Sequence, residues 1–378
     1  MTETPFARGL EGVVAAKSVL SMVDGQAGRL TYVGYPIEVL AEHSTFEEVC
    51  FLLWNKRLPK AANLSTLDNY LRANRALAPG VTDILRKFPK VANAMDALRT
   101  AASALSLFDA QANVNTRDAN LAKSVRMTAQ FATLVAAFHR LRQGQEPVAP
   151  RDDLNHAGNF LYMLSGKAPD DLATRIMDVA LILHAEHGMN ASTFATLVTV
   201  STLSDLYSAV VSGIGALKGP LHGGANEDVV HMLMEIGALD RVDAWVAKAT
   251  ADKRKISGFG HRVYKTYDPR CAVLKQYAER LSMQKNDMTF YQMGNKIEKI
   301  LIEKLGQKGV YPNVDFYSGI VYHHLGIPVD LFTPIFAVAR VAGWTARALE
   351  YLEDNRLFRP LDLYVGPEHQ EYTPIAQR

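Results

Sequence analysis

Apolar positions recur at helical spacing along most of the chain, which predicts an all-α protein. Ser44-Thr-Phe-Glu47 has the form of a capping box that opens one helix, and Pro59 ends that segment. Thr333 and Pro334 form a second helix start, a hydroxyl cap followed by proline at the first helical position. The periodicity predicts helices over residues 65–78, 90–108, 117–142, 151–165, 168–187, 191–215, 224–236, 240–252, 271–283, 289–305, 315–324 and 333–354.

Two short β-prone runs near the start depart from this helical pattern. Residues 19–23 and 29–33 flank a turn that contains Gly25 and Gly28. The combination predicts a small β-hairpin beside an otherwise helical fold.

Composition narrows the class of protein without naming its chemistry. The 378 residues are 48% hydrophobic and 21% charged, which is ordinary for a globular protein and enough for a sizeable core or two domains. A net charge of +2 gives no reason to expect nucleic acid or a membrane surface as partner. Cys50 and Cys271 are far apart, so neither a disulfide framework nor a cysteine metal site is predicted. The start lacks the layout of a secretion signal, and we expect a cytoplasmic protein.

Three loops rich in glycine and proline cluster in the second half of the chain, and each carries or leads into a titratable residue. His222 lies within residues 219–224, His261 closes 257–261, and Asp315 closes 311–315. Loops held by a rigid scaffold are favoured places for chemistry. Each residue also has a structural interpretation: a histidine satisfied by backbone carbonyls, or an acid in the first turn of a helix.

Two basic features stand out from the even charge distribution. Arg340 interrupts an apolar helical face, and a buried guanidinium is costly unless it meets an anion. The cluster 253–255 precedes a glycine-rich loop, so it is either a solvated helix end or a phosphate-binding edge. Arg359, before Pro360, would by itself be an ordinary surface arginine.

Other common motifs are absent or weak. The chain has no dinucleotide fingerprint, no phosphate loop and no Gly-x-Ser-x-Gly turn. His184 and His187 have the spacing of a metal-binding pair on a helix, but no third ligand of matching context is evident. No metal site is predicted.

Several long runs, taken in order, resemble the citrate synthase family. The resemblance spans nearly the whole chain, and several motifs in family order are far more specific than any single one. The runs are His184-Ala-Glu-His-Gly-Met-Asn-Ala-Ser192, Gly219-Pro-Leu-His-Gly-Gly-Ala-Asn-Glu227, Gly258-Phe-Gly-His-Arg-Val-Tyr-Lys-Thr-Tyr-Asp-Pro-Arg270, Asn313-Val-Asp-Phe-Tyr-Ser-Gly319 and Ala339-Arg-Val-Ala-Gly-Trp344.

The resemblance implies an all-α fold of two domains. Residues 1–221 and 326–378 would form the large domain, and residues 222–325 a smaller inserted one. By the same resemblance the chain begins near the shared core, and we expect it to lack the N-terminal extension linked to NADH regulation in some bacterial relatives.

The resemblance also assigns catalytic roles. Asp315 matches the general base that removes a proton from the methyl carbon of an acyl-CoA. His222 matches the donor to the thioester oxygen. His261 matches the residue that polarises the keto carbonyl of oxaloacetate and protonates the new alkoxide. One base and two fixed donors suit the reaction, because a C–H beside a thioester is a very weak acid.

Substrate binding follows from the same resemblance. Arg270, Arg340 and Arg359 would hold the carboxylates of oxaloacetate, with His187 as a further contact. Arg359 would reach the neighbouring subunit's site, which implies a homodimer. The CoA thioester is a co-substrate, and no permanently bound cofactor is implied. The residues expected to line the CoA site are Lys255, Ile256, Ser257, Gly258, Phe259 and Gly260.

Two alternatives to a citrate synthase stay open. A 2-methylcitrate synthase, which uses propionyl-CoA, shares the catalytic set, and one enzyme could accept both acyl groups because a methylene changes binding by only ~1–3 kcal/mol. A catalytically inactive helical binding protein is a more remote alternative, since His222, His261, Asp315 and the three arginines are all intact.

Overall fold

The computed structural model describes residues 6–378. This part of the chain contains sixteen α-helices and one small three-stranded sheet, so the all-α prediction is confirmed. None of its helices is both long and apolar enough to cross a bilayer. The helices are α1 (Ile37–His43), α2 (Phe46–Asn55), α3 (Ala61–Ala73), α4 (Pro79–Arg86), α5 (Ala94–Leu105), α6 (Arg117–Arg142), α7 (His156–Ser165), α8 (Asp171–His184), α9 (Ala191–Ser201), α10 (Leu206–Leu217), α11 (Ala225–Ile236), α12 (Val242–Ala251), α13 (Pro269–Gln284), α14 (Thr289–Leu305), α15 (Val314–His324) and α16 (Phe332–Leu352).

The predicted hairpin is present and gains a third strand. Strand β1 (Ser21–Asp24) pairs antiparallel with β2 (Arg29–Tyr32), and β2 pairs antiparallel with β3 (Tyr35–Pro36). Asp24 closes the turn between β1 and β2, because its Oδ1 accepts hydrogen bonds from the backbone N–H groups at positions 26 and 27 at 3.1 and 2.9 Å.

The prediction of one helix over 191–215 is wrong. Helix α9 ends at Ser201 and α10 begins at Leu206. Between them Leu203 has a φ of 64°, a conformation that an α-helix does not contain. Asp205 then caps α10, since its side chain accepts the backbone N–H of Ser208 at 3.0 Å.

Both predicted cap assignments are also wrong, by one or two residues. The cap of α2 is Thr45, which accepts the N–H of Glu48, whereas Glu47 is buried and accepts the N–H of His156. Helix α16 begins at Phe332, ahead of the predicted cap. The Thr333 hydroxyl instead donates to the Gly223 carbonyl at 3.2 Å. Two short helices, α1 and α4, were not predicted.

Helix α16 runs through the centre of the core. Every residue from Phe332 to Leu349 is buried, and the helix packs against α2, α6, α8, α9 and α10. Arg340 is on this helix and only 1% exposed. Helices α11 and α13 pack against α15, whose first turn carries Asp315. Helix α16 thus contributes Arg340 to the candidate site, and α15 contributes Asp315.

Candidate active site

The loop 256–261 and the segment 311–313 form one hydrogen-bonded unit directly before α15. Gly260 donates its N–H to the Tyr311 carbonyl, and Asn313 donates its N–H to the Gly258 carbonyl, both at 2.9 Å. The Asn313 side chain also donates to the Gly260 carbonyl at 2.9 Å. Gly258 has a φ of 78°, and a Cβ there would lie 2.7 Å from the Phe316 ring, so only glycine fits. Two of the three predicted loops are therefore locked together.

His222 is held by Ser192 at the start of α9. Its Nε2 accepts the backbone N–H of Ser192 at 3.3 Å and lies 2.9 Å from the Ser192 hydroxyl. A backbone N–H can only donate, so Nε2 is the unprotonated nitrogen and the neutral ring carries its proton on Nδ1. Burial, aided by the charge of Arg340, lowers the pKa of His222 to about 4. The ring is a neutral donor at physiological pH.

His261 is fixed in the opposite tautomer. Its Nδ1 accepts the backbone N–H groups of Val263 and Tyr264 at 3.0 and 3.1 Å. The proton of the neutral ring is therefore on Nε2. Burial, together with the charge of Arg270, lowers the pKa of His261 to about 4. The two histidines present different nitrogens as donors.

Asp315 is a half-buried acid in the first turn of α15. Its backbone N–H donates to the Asn313 side chain at 3.0 Å, while its carboxylate accepts no hydrogen bond from residues 6–378. Burial raises the pKa of Asp315 to about 6, against the attraction of Arg270 and Arg340. At neutral pH the group is ionised but poorly solvated, which is the condition for a strong base.

Two buried arginines lie beside these groups. Arg270 is 2% exposed, and its Nε and Nη2 donate to Asp268 at 3.0 and 2.8 Å. Arg340 donates its Nε to the His184 carbonyl at 2.6 Å, and its terminal nitrogens have no acceptor among residues 6–378. Burial lowers the pKa of Arg340 to about 10, so its charge persists at neutral pH. A buried arginine whose terminal nitrogens have no acceptor from the protein is suited to bind an anion.

His187 completes this cluster. It is buried, its Nε2 lies 3.0 Å from the Tyr264 hydroxyl, and its ring centroid lies 5.3 Å from that of His261. Burial, and then the charge of Arg270, lower its pKa well below the usual value, so it is neutral. Of the seven predicted catalytic and oxaloacetate-binding residues, the structure brings six together, including the buried Arg270 and Arg340.

Arg359 is the residue that the structure leaves apart. It is exposed, and its Nη1 donates to the adjacent Pro360 carbonyl at 3.4 Å. The chain just before it is anchored, since the Phe358 N–H donates to Ser201 Oγ at 3.2 Å. From Arg359 to the last residue, every position is exposed.

The predicted CoA loop divides into two kinds of residue. Ile256 and Phe259 are buried, and the Phe259 ring packs edge-on against Phe316 with centroids 4.8 Å apart. Lys255 is exposed and Ser257 half-buried. A ligand could therefore meet Lys255, Ser257 and the backbone of this loop, but not the two apolar side chains.

The histidine pair at 184 and 187 does not act as one unit. The Nδ1 of His184 lies 2.7 Å from the Ala180 carbonyl, and its ring packs against Phe336 with centroids 4.8 Å apart. Across residues 6–378, no group of three or more histidine, cysteine, aspartate or glutamate side chains is arranged to hold a metal ion.

Three residues of the site were not singled out from the sequence. Ser192 positions His222, Tyr264 joins His187 to His261, and Asp268 supports Arg270. Asp268 also accepts the backbone N–H of Val314 at 3.1 Å, which ties Arg270 to the start of α15. All three lie inside the runs that carry the family resemblance, which was the available signal.

The class of protein that this arrangement fits is an acid–base enzyme acting on a small anionic substrate: two neutral imidazole donors, one poorly solvated carboxylate and two buried guanidinium groups. The comparisons with known proteins then supply the family. The family model described as citrate synthase, C-terminal domain, matches residues 9–361. The chain belongs to the citrate synthase family.

Individual relatives match over their full length. A citrate synthase of Deinococcus radiodurans is 52% identical over 373 residues, covering 99% of both chains. A protein named 2-methylcitrate synthase 1, of Corynebacterium glutamicum, is 40% identical and covers 100% of both. A ternary complex of carboxymethyl coenzyme A and oxaloacetate with citrate synthase, of Thermoplasma acidophilum, superposes with a TM-score of 0.94 at 35% identity, covering 99% of this chain and 100% of that one.

Proposed function

We propose that this chain condenses acetyl-CoA with oxaloacetate and water to give citrate and CoA, the entry reaction of the tricarboxylic acid cycle. The observation that carries the proposal is the pair of oppositely fixed imidazoles, His222 and His261, together with the poorly solvated Asp315. The reaction needs one base and two donors of this kind. It needs no bound cofactor beyond the CoA thioester itself.

The first step is proton abstraction. Asp315 removes a proton from the methyl carbon of acetyl-CoA, and the electron pair of that C–H bond moves toward the thioester oxygen. Nδ1–H of His222 donates to this oxygen as its negative charge grows. A neutral donor serves here without adding a full charge, and the positioned proton transfer contributes typically ~10²–10⁴-fold.

Carbon–carbon bond formation follows. The enolate carbon attacks the keto carbon of oxaloacetate, and the keto oxygen, as it becomes an alkoxide, receives the proton from Nε2–H of His261. The ring is left as an imidazolate until water returns a proton to Nε2. Holding both substrates together contributes more, on the order of 7–11 kcal/mol in favourable systems. Water then hydrolyses the citryl-CoA thioester in the same site and releases CoA.

The two carboxylates of oxaloacetate account for the arginines. The free terminal nitrogens of Arg340 and the remaining edge of Arg270 are planar forks suited to carboxylate oxygens. We propose that Arg359 from a neighbouring copy of the chain supplies the third guanidinium group that binds these carboxylates. We also propose that residues 222–325 move as a smaller domain against 1–221 and 326–378, so that closure excludes water.

A homodimer is part of this proposal. Phe358 is anchored to Ser201, and an exposed segment begins directly after it. That segment carries large apolar side chains that would be in contact with water in a monomer. Burial against a second copy removes them from water and brings Arg359 to the other site. The exposed apolar side chains are Leu361, Leu363, Tyr364, Val365, Tyr372 and Ile375.

Subunit mixing tests whether Arg359 acts in the neighbouring site. We expect Arg359→Ala and Asp315→Asn homodimers to be nearly inactive, each lacking one part of every site. A mixed dimer would contain one complete site, so equal mixing restores roughly a quarter of the sites. Arg356→Ala, an exposed neighbour, is the matched control. Absence of recovery, with mixed dimers verified by mass spectrometry, would place Arg359 in its own subunit's site or outside the chemistry.

The acyl group is tested by release of free thiol. With oxaloacetate present, we expect CoA release from acetyl-CoA with a higher kcat/KM than from propionyl-CoA. A ratio in favour of propionyl-CoA would instead support a 2-methylcitrate synthase, the name carried by one relative. Comparable values would indicate both activities in one enzyme. No CoA release from either substrate would favour the remaining alternative, a catalytically inactive helical binding protein.

The pH dependence tests the base. Since Asp315 must be ionised and its pKa is raised to about 6, kcat/KM for acetyl-CoA should rise tenfold per pH unit below about 6 and level off above it. His222 and His261, with pKa values lowered to about 4, stay neutral and add no further change to the kcat/KM profile between pH 5 and 8. A profile that is flat from pH 5 to 8 would contradict this assignment.

We propose the cytoplasm as the site of action. Cys50 and Cys271 are both buried and unpaired. Free thiols of this kind suit a reducing compartment.

A further inference from the structure

The turn between β1 and β2 lies directly against the loop that carries His261. An ideal Cβ on Gly25 would lie 2.1 Å from the Val263 carbonyl oxygen, and one on Gly28 would lie 2.8 Å from the Thr266 methyl group. The Lys265 N–H donates to the Gly25 carbonyl at 2.9 Å. The two backbones touch, and the contact exists only because these two turn positions are glycine.

The other end of the same hairpin is bonded to the loop that carries His187. The Ser21 hydroxyl donates to Glu186 at 3.1 Å and accepts the Gly188 N–H at 3.1 Å. From the neighbouring strand, the Tyr32 hydroxyl donates to the Glu186 carbonyl at 2.8 Å. The hairpin therefore spans the distance between the loops of His187 and His261.

The turn itself is stiff. Asp24 accepts two backbone N–H groups within it, and Arg29 donates to the other Asp24 oxygen at 3.1 Å. A stiff element fastened at both ends sets the separation of what it joins for as long as both contacts are made, which in the proposed domain motion is the closed state. Here it joins His187, which bonds Tyr264, to the backbone N–H groups of Val263 and Tyr264 that orient His261.

We infer that the β1–β2 hairpin is a spacer that positions His261 relative to His187, with Gly25 and Gly28 as its positioning residues. None of its residues needs to touch substrate. Its role is to press the 263–267 loop into the one place where the two amides orient the His261 ring. The inference deepens the proposed function and rests on oxaloacetate lying between these histidines.

The chain offers matched glycine variants for a test. Gly25→Ala adds only a backbone clash, whereas Gly28→Ala adds a clash at a φ of 62°. Gly34→Ala, in the same sheet, places alanine at a φ of 86° with nothing within 4 Å of its Cβ. It imposes backbone strain without touching the His261 loop, and is the control.

We expect Gly25→Ala and Gly28→Ala to lower kcat/KM for oxaloacetate by on the order of 10²-fold, because misplacement of a catalytic group by about an ångström has that effect. KM for acetyl-CoA should change far less. Gly34→Ala should lose some thermal stability but keep the parent's kinetic constants. The rise in Tm that oxaloacetate gives the parent should shrink in the two clash variants and persist in the control.

Three outcomes for the variants would overturn the inference. Parent-like kinetics in Gly25→Ala and Gly28→Ala would show that the turn does not position His261. Failure of both to fold, while Gly34→Ala folds, would make the contact a requirement of folding only. Equal losses in all three would assign the effect to general destabilisation of the sheet. Absence of turnover in the parent itself would refute the proposed function rather than the spacer.

Discussion

Replacement of Asp315 by asparagine should lower kcat by ~10²–10⁴-fold, since a positioned general base contributes about that much. The change keeps the shape of the side chain, and the carboxylate accepts no hydrogen bond from the described residues that the amide would break. Oxaloacetate binding, measured by calorimetry, should therefore stay close to that of the parent. Steady-state thiol release gives kcat.

Asp240→Asn is the matched control, because Asp240 is exposed and belongs to none of the segments that carry the candidate site residues. It should leave kcat unchanged. Near-normal turnover in Asp315→Asn would remove Asp315 from the chemistry. Loss of oxaloacetate binding together with turnover would instead make Asp315 a binding or structural group.

Replacement of Arg340 by methionine should act on the other half of the reaction, the binding of oxaloacetate. Loss of one partner from a buried charge pair costs about 2–5 kcal/mol, so KM for oxaloacetate should rise about 30-fold or more. KM for acetyl-CoA should be nearly unchanged. Methionine keeps much of the volume packed on Phe336, over whose ring the guanidinium carbon lies 4.6 Å from the centroid.

Thermal stability separates binding from folding in this variant. Removal of a buried charge that lacks a full set of acceptors often leaves stability unchanged or raises it, so the ligand-free Tm should not fall. The added stability that oxaloacetate gives the parent should be lost. Arg241→Met, at an exposed position, should behave as the parent in both respects. An unaltered KM for oxaloacetate in Arg340→Met would contradict the assignment.

The sequence was informative about the fold wherever periodicity was long and uninterrupted. The bounds of α6 and α14 were predicted to the residue. The errors arose at short or local features. Helices α1 and α4 have too few turns for an apolar period to emerge. The break between α9 and α10 depends on the single backbone conformation of Leu203, although Asp205 already offered a cap signal.

For the site, the residue types indicated the chemistry, but not which other residues hold the catalytic side chains in place. His222 and His261 could be chosen from the sequence, yet their tautomers depend on amides that the fold supplies, one from Ser192 thirty positions away. Asp268 could be read as a helix cap, whereas its contacts with Arg270 and Val314 are tertiary. The roles of the seven site residues remain predictions until the variants are measured.

The opposite tautomers of His222 and His261 have a consequence for how the enzyme resets. Each ring has one edge blocked by amide donors and one exchangeable proton on the other edge. In the proposed reaction only His261 gives a proton to substrate, and this proton cannot be replaced through Nδ1, because that nitrogen would first have to lose its two amide donors. It must return by the way it left. Reprotonation is therefore coupled to water entering as product leaves, and a slow opening step would carry a solvent isotope effect that chemistry alone does not explain.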